Sequence, residues 1–238
     1  KIENFIKNAD ICINLVGILY EKGGINTFKN IHEKFPNLLS TLCKKYNVKQ
    51  FIHISALGVD KAKESLYAKS KLNGEALIRN NFIEANILRP SVVYSSDDNF
   101  TTNFMTLLNL FPIFPLYYNG STLFRPIHVS DLTEIIYQMV SQNLKSITLE
   151  CIGPEEISLK DILNRLLKLI GKKRLLVPVP LIIARLSAFF FEIFPKPLIT
   201  SDQLNLLKYD NILSGKYKTN LDLGIEANKK FDVEIESY

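Results

Sequence analysis

Tyr67 and Lys71 stand four residues apart in the stretch YAKSK, and Ser55 lies twelve residues before Tyr67. On a helix, positions i and i+4 share a face, so phenol and ammonium can enter one site together. A phenol titrates near 10 and is a poor base at neutral pH. A neighbouring ammonium favours the phenolate and lowers that value. Such a pair can give a proton to a carbinol oxygen, or take one, while a hydride moves at the carbon. A serine hydroxyl opposite would orient that oxygen. A Tyr-x-x-x-Lys pair alone also arises by chance on exposed helices. Here its weight comes from order: an apolar strand, Ser55, a short loop, the Tyr67–Lys71 helix, then a strand ending in Arg89-Pro90.

The elements that must position these residues alternate. Ile11 to Val16 and Gln50 to Ile54 are apolar runs of strand length, and a third begins at Asn86. Between the first two, a helical pattern runs from about Thr27 to Tyr46, with Ile31, Phe35, Leu38, Leu39 and Leu42 on one face. Pro36 predicts a kink in it. Ser65 to Asn80 reads as the next helix. Strand, helix, strand, helix, strand predicts a parallel sheet with helices on both faces, so the fold class is α/β, doubly wound. Ligands in such sheets bind at the carboxyl ends of the strands, here the loops after Val16, Ile54 and Leu88. Further helices are expected over Asn99 to Leu110, Asp131 to Val140 and Ser158 to Ile170, the last with a Ser158 cap and a Gly171 stop. Leu123 to Val129 and Ile147 to Ile152 read as extended. The division expected is a sheet domain over 1–150, with some segments after 90 belonging to a second lobe, and a small, mostly helical lobe over 151–238. The chain opens on Lys1 inside what reads as a helix end, so the first strands of the sheet are expected to lie outside it.

Composition narrows the functions. The chain has 238 residues, 47% of them hydrophobic, enough for a sizeable core. A net charge of +5 is too small and scattered for nucleic-acid binding, but suits attraction to anionic nucleotides or lipid heads. Cys12, Cys43 and Cys151 show no metal or redox spacing, and Cys12 and Cys151, in apolar strand-like runs, read as reduced core residues in a reducing compartment. His32, His53 and His128 are too far apart for a metal motif, so no metal is expected. His53 reads as a satisfied core histidine and His32 as a helical residue without a partner. His128, in RPIHVSD, turns beside the expected cleft. Arg89 either meets a ligand anion or braces its loop, and Arg125 is expected to pair with Asp131. Leu181 to Phe194, LIIARLSAFFFEIF, is too short to span a bilayer and carries Arg185 and Glu192. It is either core of the second lobe or a docking face for a membrane-bound partner.

NLVG (14–17), FIHISALG (51–58), YAKSK (67–71), LRPSVVYS (88–95) and FRPIHVSDL (124–132), in this order, resemble the extended short-chain dehydrogenase/reductase superfamily, the NAD-dependent epimerase/dehydratase type. ISALGVDKAKESLYAKSKLNGEALI and the tail from GPEEISLKDIL onward are most similar to the family of an accessory NADH:ubiquinone oxidoreductase subunit, alpha subcomplex subunit nine. The resemblance covers nearly the whole chain. It implies a Rossmann-type sheet with NAD(P)(H) across it. Leu15, Val16 and Gly17 would line the adenosine side. Ser55, Tyr67 and Lys71 would surround the nicotinamide ribose, and Pro90, Ser91 and Val92 would pass the carboxamide. The partners implied are the dinucleotide and a membrane-bound respiratory complex. The location implied is cytoplasmic, or peripheral on the inner face of a bacterial membrane or the mitochondrial matrix side. Two functions follow: a nucleotide-binding accessory or assembly protein with little turnover, or an active oxidoreductase or epimerase on a nucleotide-sugar or quinone-pathway substrate. Two departures bear on them. The superfamily's glycine-rich phosphate loop is absent, and its catalytic serine falls on either Ser55 or Ala56.

Overall fold

The computed structural model describes residues 1–192, 197 and 199–236. Helix α1 (Ile2–Ile6) leads to β1 (Ile11–Asn14). A π-helical stretch, Lys29–Lys34, runs into α2 (Phe35–Lys45), followed by β2 (Gln50–Ile54), α3 (Leu66–Asn81) and β3 (Asn86–Pro90). The helix expected over 27–46 is one helical run from 28 to 45, π-wound over Lys29–Lys34 and α-helical from Phe35 on. Pro36 has no N–H to return to the carbonyl four residues back, and the turn before it widens.

The chain then leaves the sheet. It forms β4 (Val93–Tyr94), α4 (Thr101–Leu110), β5 (Ile113–Leu116), β6 (Leu123–Phe124), β7 (Ile127–His128) and α5 (Val129–Ser141). Strand β8 (Thr148–Cys151) returns to the sheet. Then come β9 (Ile157–Ser158), α6 (Leu159–Leu169), β10 (Leu175–Pro178), α7 (Leu181–Phe191), α8 (Ser201–Leu207), β11 (Lys218–Thr219) and α9 (Phe231–Ile235).

The central sheet has the order β1-β2-β3-β8-β11, every neighbouring pair parallel. This is the expected doubly wound α/β class. Alternation along the strands builds its two faces. Phe51 and Ile87 join Leu39, Leu42 and Ile78 under α2 and α3. Their neighbours Ile52 and Leu88 join Leu132, Ile135 and Met139 under α5. The fifth strand, β11, pairs with β8 from residues 218–219, so a boundary drawn at 150 leaves one sheet strand in the other part. The second lobe instead gathers α4, α6 and α9 around Leu108, Phe114, Leu163, Leu166 and Phe231.

Cys12 and Cys43, distant in sequence, meet thiol to thiol in the layer beneath α2, and all three cysteines are buried and free. No helix among the described residues is long and apolar enough to cross a membrane.

Candidate functional site

The site is built on α3. Ser65 is its N-cap, its hydroxyl accepting from the Ala68 N–H at 3.1 Å. Asp202, from α8, adds a carboxylate that accepts from the Leu66 and Tyr67 amides at 2.6 and 3.0 Å and from the Ser65 hydroxyl at 2.8 Å. A carboxylate on the first-turn amides favours the helix dipole and pins the turn that carries Tyr67.

Lys71, one turn on, is buried. Its Nζ donates to the Ile54 carbonyl at 3.1 Å and lies 6.0 Å from the Tyr67 ring centre. Gly17 passes close by: a Cβ there would sit 3.2 Å from the Lys71 Nζ. Strand β1's loop, the end of β2 and α3 thus converge on one ammonium. Burial pulls Lys71 down to about 8, with Glu75 opposing. Burial pushes Tyr67 up to about 12. The lowered phenol expected from the neighbouring ammonium is therefore not what the geometry delivers, because desolvation outweighs it. The Tyr67 hydroxyl makes no hydrogen bond among the described residues. Among the described residues the buried Ser55 Oγ has no hydrogen-bond partner, and neither has the His53 Nε2.

His32 is not the unpartnered helical residue expected from sequence. It is buried; its Nε2 accepts from the Ile18 N–H at 3.1 Å and its Nδ1 meets the Ser70 Oγ at 2.8 Å. Its ring stacks on Phe28 and stands edge-on to Tyr67, both at 5.3 Å between centres. Burial, then the charge of Lys71, holds His32 down at about 3, so it is neutral. It ties the loop after β1 to α3. Asn14 completes the floor, its Nδ2 donating to the His53 Nδ1 at 2.9 Å and its Oδ1 accepting from the Val16 N–H at 3.1 Å. Half of the expectation for His53 holds: one ring nitrogen is met and the other is not.

The family described as RmlD substrate binding domain matches residues 26–180. The chain belongs to this family. Among curated relatives, the RmlD-type chain is 27% identical over 228 residues to the NADH-ubiquinone oxidoreductase 40 kDa subunit, mitochondrial, of Neurospora crassa, covering 94% of this chain and 59% of the relative. It is 24% identical to NADH dehydrogenase [ubiquinone] 1 alpha subcomplex subunit 9, mitochondrial, of Mus musculus, covering 94% and 60%. The chain thus spans about three fifths of the length of these relatives. Among solved structures, a dTDP-4-dehydrorhamnose reductase of Clostridium acetobutylicum superposes with a TM-score of 0.66 at 16% identity, over 100% of this chain and 83% of that one. The UDP-glucuronic acid 4-epimerase of Bacillus cereus, in complex with UDP-glucuronic acid and NAD, gives 0.63 at 21%, over 100% and 79%. The resemblance drawn from the motifs and these similarities agree on an extended short-chain dehydrogenase/reductase fold.

In this RmlD-type chain the expected site residues separate into two groups. Gly17 and Tyr67 lie against Lys71, whose Nζ holds the carbonyl just before Ser55, while Leu15 and Val16 are exposed. Pro90, Ser91 and Val92 serve as framework. The Pro90 carbonyl accepts from Leu57, the Ser91 hydroxyl donates to the Asn211 Oδ1 at 2.6 Å, and Val92 packs on the second lobe's core. Arg89 is a brace. It forks onto Glu75 at 2.9 and 2.6 Å and lies over the Tyr217 ring. His128 caps α5 through the Ser130 N–H. Arg125 does not pair with Asp131; that carboxylate accepts from the Lys229 amide instead. Sequence gave no signal for His32 as a ring latch, nor for Asp202 or Asn211, because their partners lie on remote elements.

Proposed function

We propose that this chain binds NAD(P)(H) and serves as a nucleotide-binding accessory or assembly subunit of an NADH:ubiquinone oxidoreductase-type complex, with little or no turnover. The observation that carries the nucleotide reading is a polar deficit. Lys71 is a buried ammonium with three N–H donors and one acceptor, beside a buried Ser55 hydroxyl with none. Such a deficit fits the vicinal hydroxyls of a ribose. Gly17, without a side chain, leaves the approach to Lys71 open. Leu15, Val16 and Gly17 would line the adenosine side, and Ser55, Tyr67 and Lys71 the nicotinamide ribose. The nicotinamide would supply or accept a hydride. The B. cereus epimerase structure, which holds NAD, supports the choice of ligand.

The pyrophosphate half fits less well. Gly23 and Gly24 form a turn, closed by Lys22 N–H to the Asn26 carbonyl, that lies well past the end of β1 and so does not join a strand directly to a helix N-terminus. The amide of Phe28, at the helical start that follows the turn, is already taken by the Glu21 carboxylate at 2.6 Å and so is not offered to a phosphate. The low-turnover reading is supported by Tyr67, which keeps its proton at neutral pH and receives no hydrogen bond from Lys71. The complex is suggested by the printed names of the N. crassa and M. musculus relatives. That reading places the chain on the matrix side of a mitochondrial membrane or the inner face of a bacterial one.

The test is fluorescence titration with NADH and NADPH, wild type against Lys71→Ala. Binding that weakens at least about tenfold in the variant supports the site. Absence of binding to either nucleotide removes it. The second reading, a working oxidoreductase or epimerase, is favoured by Tyr67, Lys71 and Ser55 sharing one site. Stereospecific hydride transfer to a sugar-nucleotide or quinone-pathway carbonyl, lost in Tyr67→Phe, would establish it instead.

A further inference from the structure

Helix α7 is built inside out. Ala184 and Ala188 are 1% and 0% exposed and pack against Tyr117, Ile199 and Leu204. The opposite arc carries Ile182, Ile183, Leu186, Phe189 and Phe190, each between 56 and 75% exposed. An ordinary surface helix turns its apolar stripe inward and its polar side chains to water. Here the small residues face inward and the large apolar ones outward. The sequence alternatives of lobe core and docking face are thereby separated: the core of this helix is two alanines, and its bulk is free. Ile193 and Phe194, the end of the apolar stretch, lie outside the described residues.

The ribbon that precedes the helix exposes apolar side chains as well. Strands β5 and β10 form a two-stranded parallel ribbon that runs into α7, with the Val179 N–H donating to the Leu116 carbonyl. At the ribbon's far end Leu175 pairs with Ile113, and both are exposed, as is Leu110 beside them.

Charge decides what covers this surface. Residues 99–120 and 172–191, which build it, contain no Asp or Glu and four basic residues, Lys172, Lys173, Arg174 and Arg185. Arg174 donates to the Leu108 and Asn109 carbonyls and anchors the ribbon. Lys172, Lys173 and Arg185 are exposed and make no ion pair among the described residues. Glu192, just past the helix, is already held by the Ser201 amide at 2.6 Å.

We infer that α7 and the β5–β10 ribbon form a docking face for an anionic lipid bilayer surface. Bulky apolar side chains enter the interface and Lys172, Lys173 and Arg185 meet the phosphates. Ile182, Ile183, Leu186, Phe189 and Phe190 carry no hydrogen-bonding group, which suits hydrocarbon, since hydrocarbon offers none in return, and Arg185 is the one exposed charged side chain of α7. An eleven-residue helix is too short to cross, so it lies in the plane of the interface. Three basic residues add the preference for anionic headgroups.

The inference does not depend on the nucleotide site, and its test is separate. The protein is sedimented with vesicles of phosphatidylcholine, and of phosphatidylcholine with about one third phosphatidylglycerol. Wild type is expected on the anionic vesicles and largely in the supernatant with neutral ones. Phe189→Ser with Phe190→Ser lowers partitioning at least about tenfold, with an unchanged circular dichroism melt because both side chains are exposed. Lys172→Gln with Lys173→Gln loses the anionic preference and keeps the melt. Absence of wild-type binding, equal binding to neutral vesicles, or full binding by the serine variant overturns the inference. So does a wild-type dimer in light scattering that Phe189→Ser dissociates, since a second copy would then be the cover.

Discussion

Between pH 8 and 10 the buried Lys71 gives the fold a pH dependence of its own. Its folded value of about 8 lies below the ordinary 10.5, so in that window the unfolded chain binds a proton that the folded one has released. Stability therefore rises as pH rises through 8. Tyr67 reverses the slope above 10, because its folded value is pushed up to about 12. Urea melts at pH 7.5 and 9.5 are expected to differ by about 1–2 kcal/mol in wild type and to converge in Lys71→Met. Ser55→Ala tests the neighbouring orphan hydroxyl. Removing a buried group with no partner costs no hydrogen bond, so stability is expected within about 0.5 kcal/mol of wild type or above it. NADH affinity is expected to fall, measured in the same titration as Lys71→Ala. A large loss of stability would mean that Ser55 has a structural partner and is no ligand contact. At this scale the i, i+4 pair was legible because it is local. His32 was not, since its partners Ile18 and Ser70 come from two other segments and no periodicity announces them.

Among the elements, α3 is set by two close contacts that no propensity describes. At Gly74 a Cβ would sit 2.0 Å from the His32 carbonyl oxygen, so only glycine lets the π-helical stretch lie against α3. Gly74→Ala is expected to cost about 1–3 kcal/mol, read from the urea midpoint, and to loosen the His32 latch. Faster hydrogen exchange at Ile18 would report that loosening, while unchanged exchange would mean that the two helices part elsewhere. Asp202→Ala removes the second cap of α3 and is expected to cost about 1 kcal/mol, with Ser65 still in place. The strands and most helices were legible because apolar runs and caps are local. At Pro36 the helix does not break: the chain stays helical from 28 to 45 and is π-wound over Lys29–Lys34, a form set against α3 at the close Gly74 approach and so not legible from local sequence.

For the whole molecule, a division at residue 150 does not follow the sheet, because the chain returns to it at 218–219, and Asn211 ties the parts together on the way. Asn211 donates its Nδ2 to the Leu57 carbonyl at 2.9 Å and accepts from the Ser91 hydroxyl at 2.6 Å. Its backbone N–H donates to the Leu123 carbonyl at 2.7 Å. The loops after β2 and β3 and the second lobe thus share one residue. Asn211→Ala keeps the backbone bond and strips both side-chain links, leaving the Leu57 carbonyl unmet and the Ser91 hydroxyl with only its longer contacts to the Asn211 carbonyl and the Arg125 amide, both 3.3 Å, at an expected cost of about 1–2 kcal/mol. Because the Leu57 link holds the loop that follows Ser55, nucleotide affinity is expected to fall as well, although Asn211 lies outside the proposed ligand-contact set. Asn211→Asp separates the two links: it keeps an acceptor for Ser91 and loses the donor to Leu57. If the loop after β2 carries the effect, Asp and Ala variants weaken NADH binding alike, and both show faster hydrogen exchange over residues 55–65. If Asp binds as wild type does, the lobe is coupled to the site through Ser91 and the loop after β3.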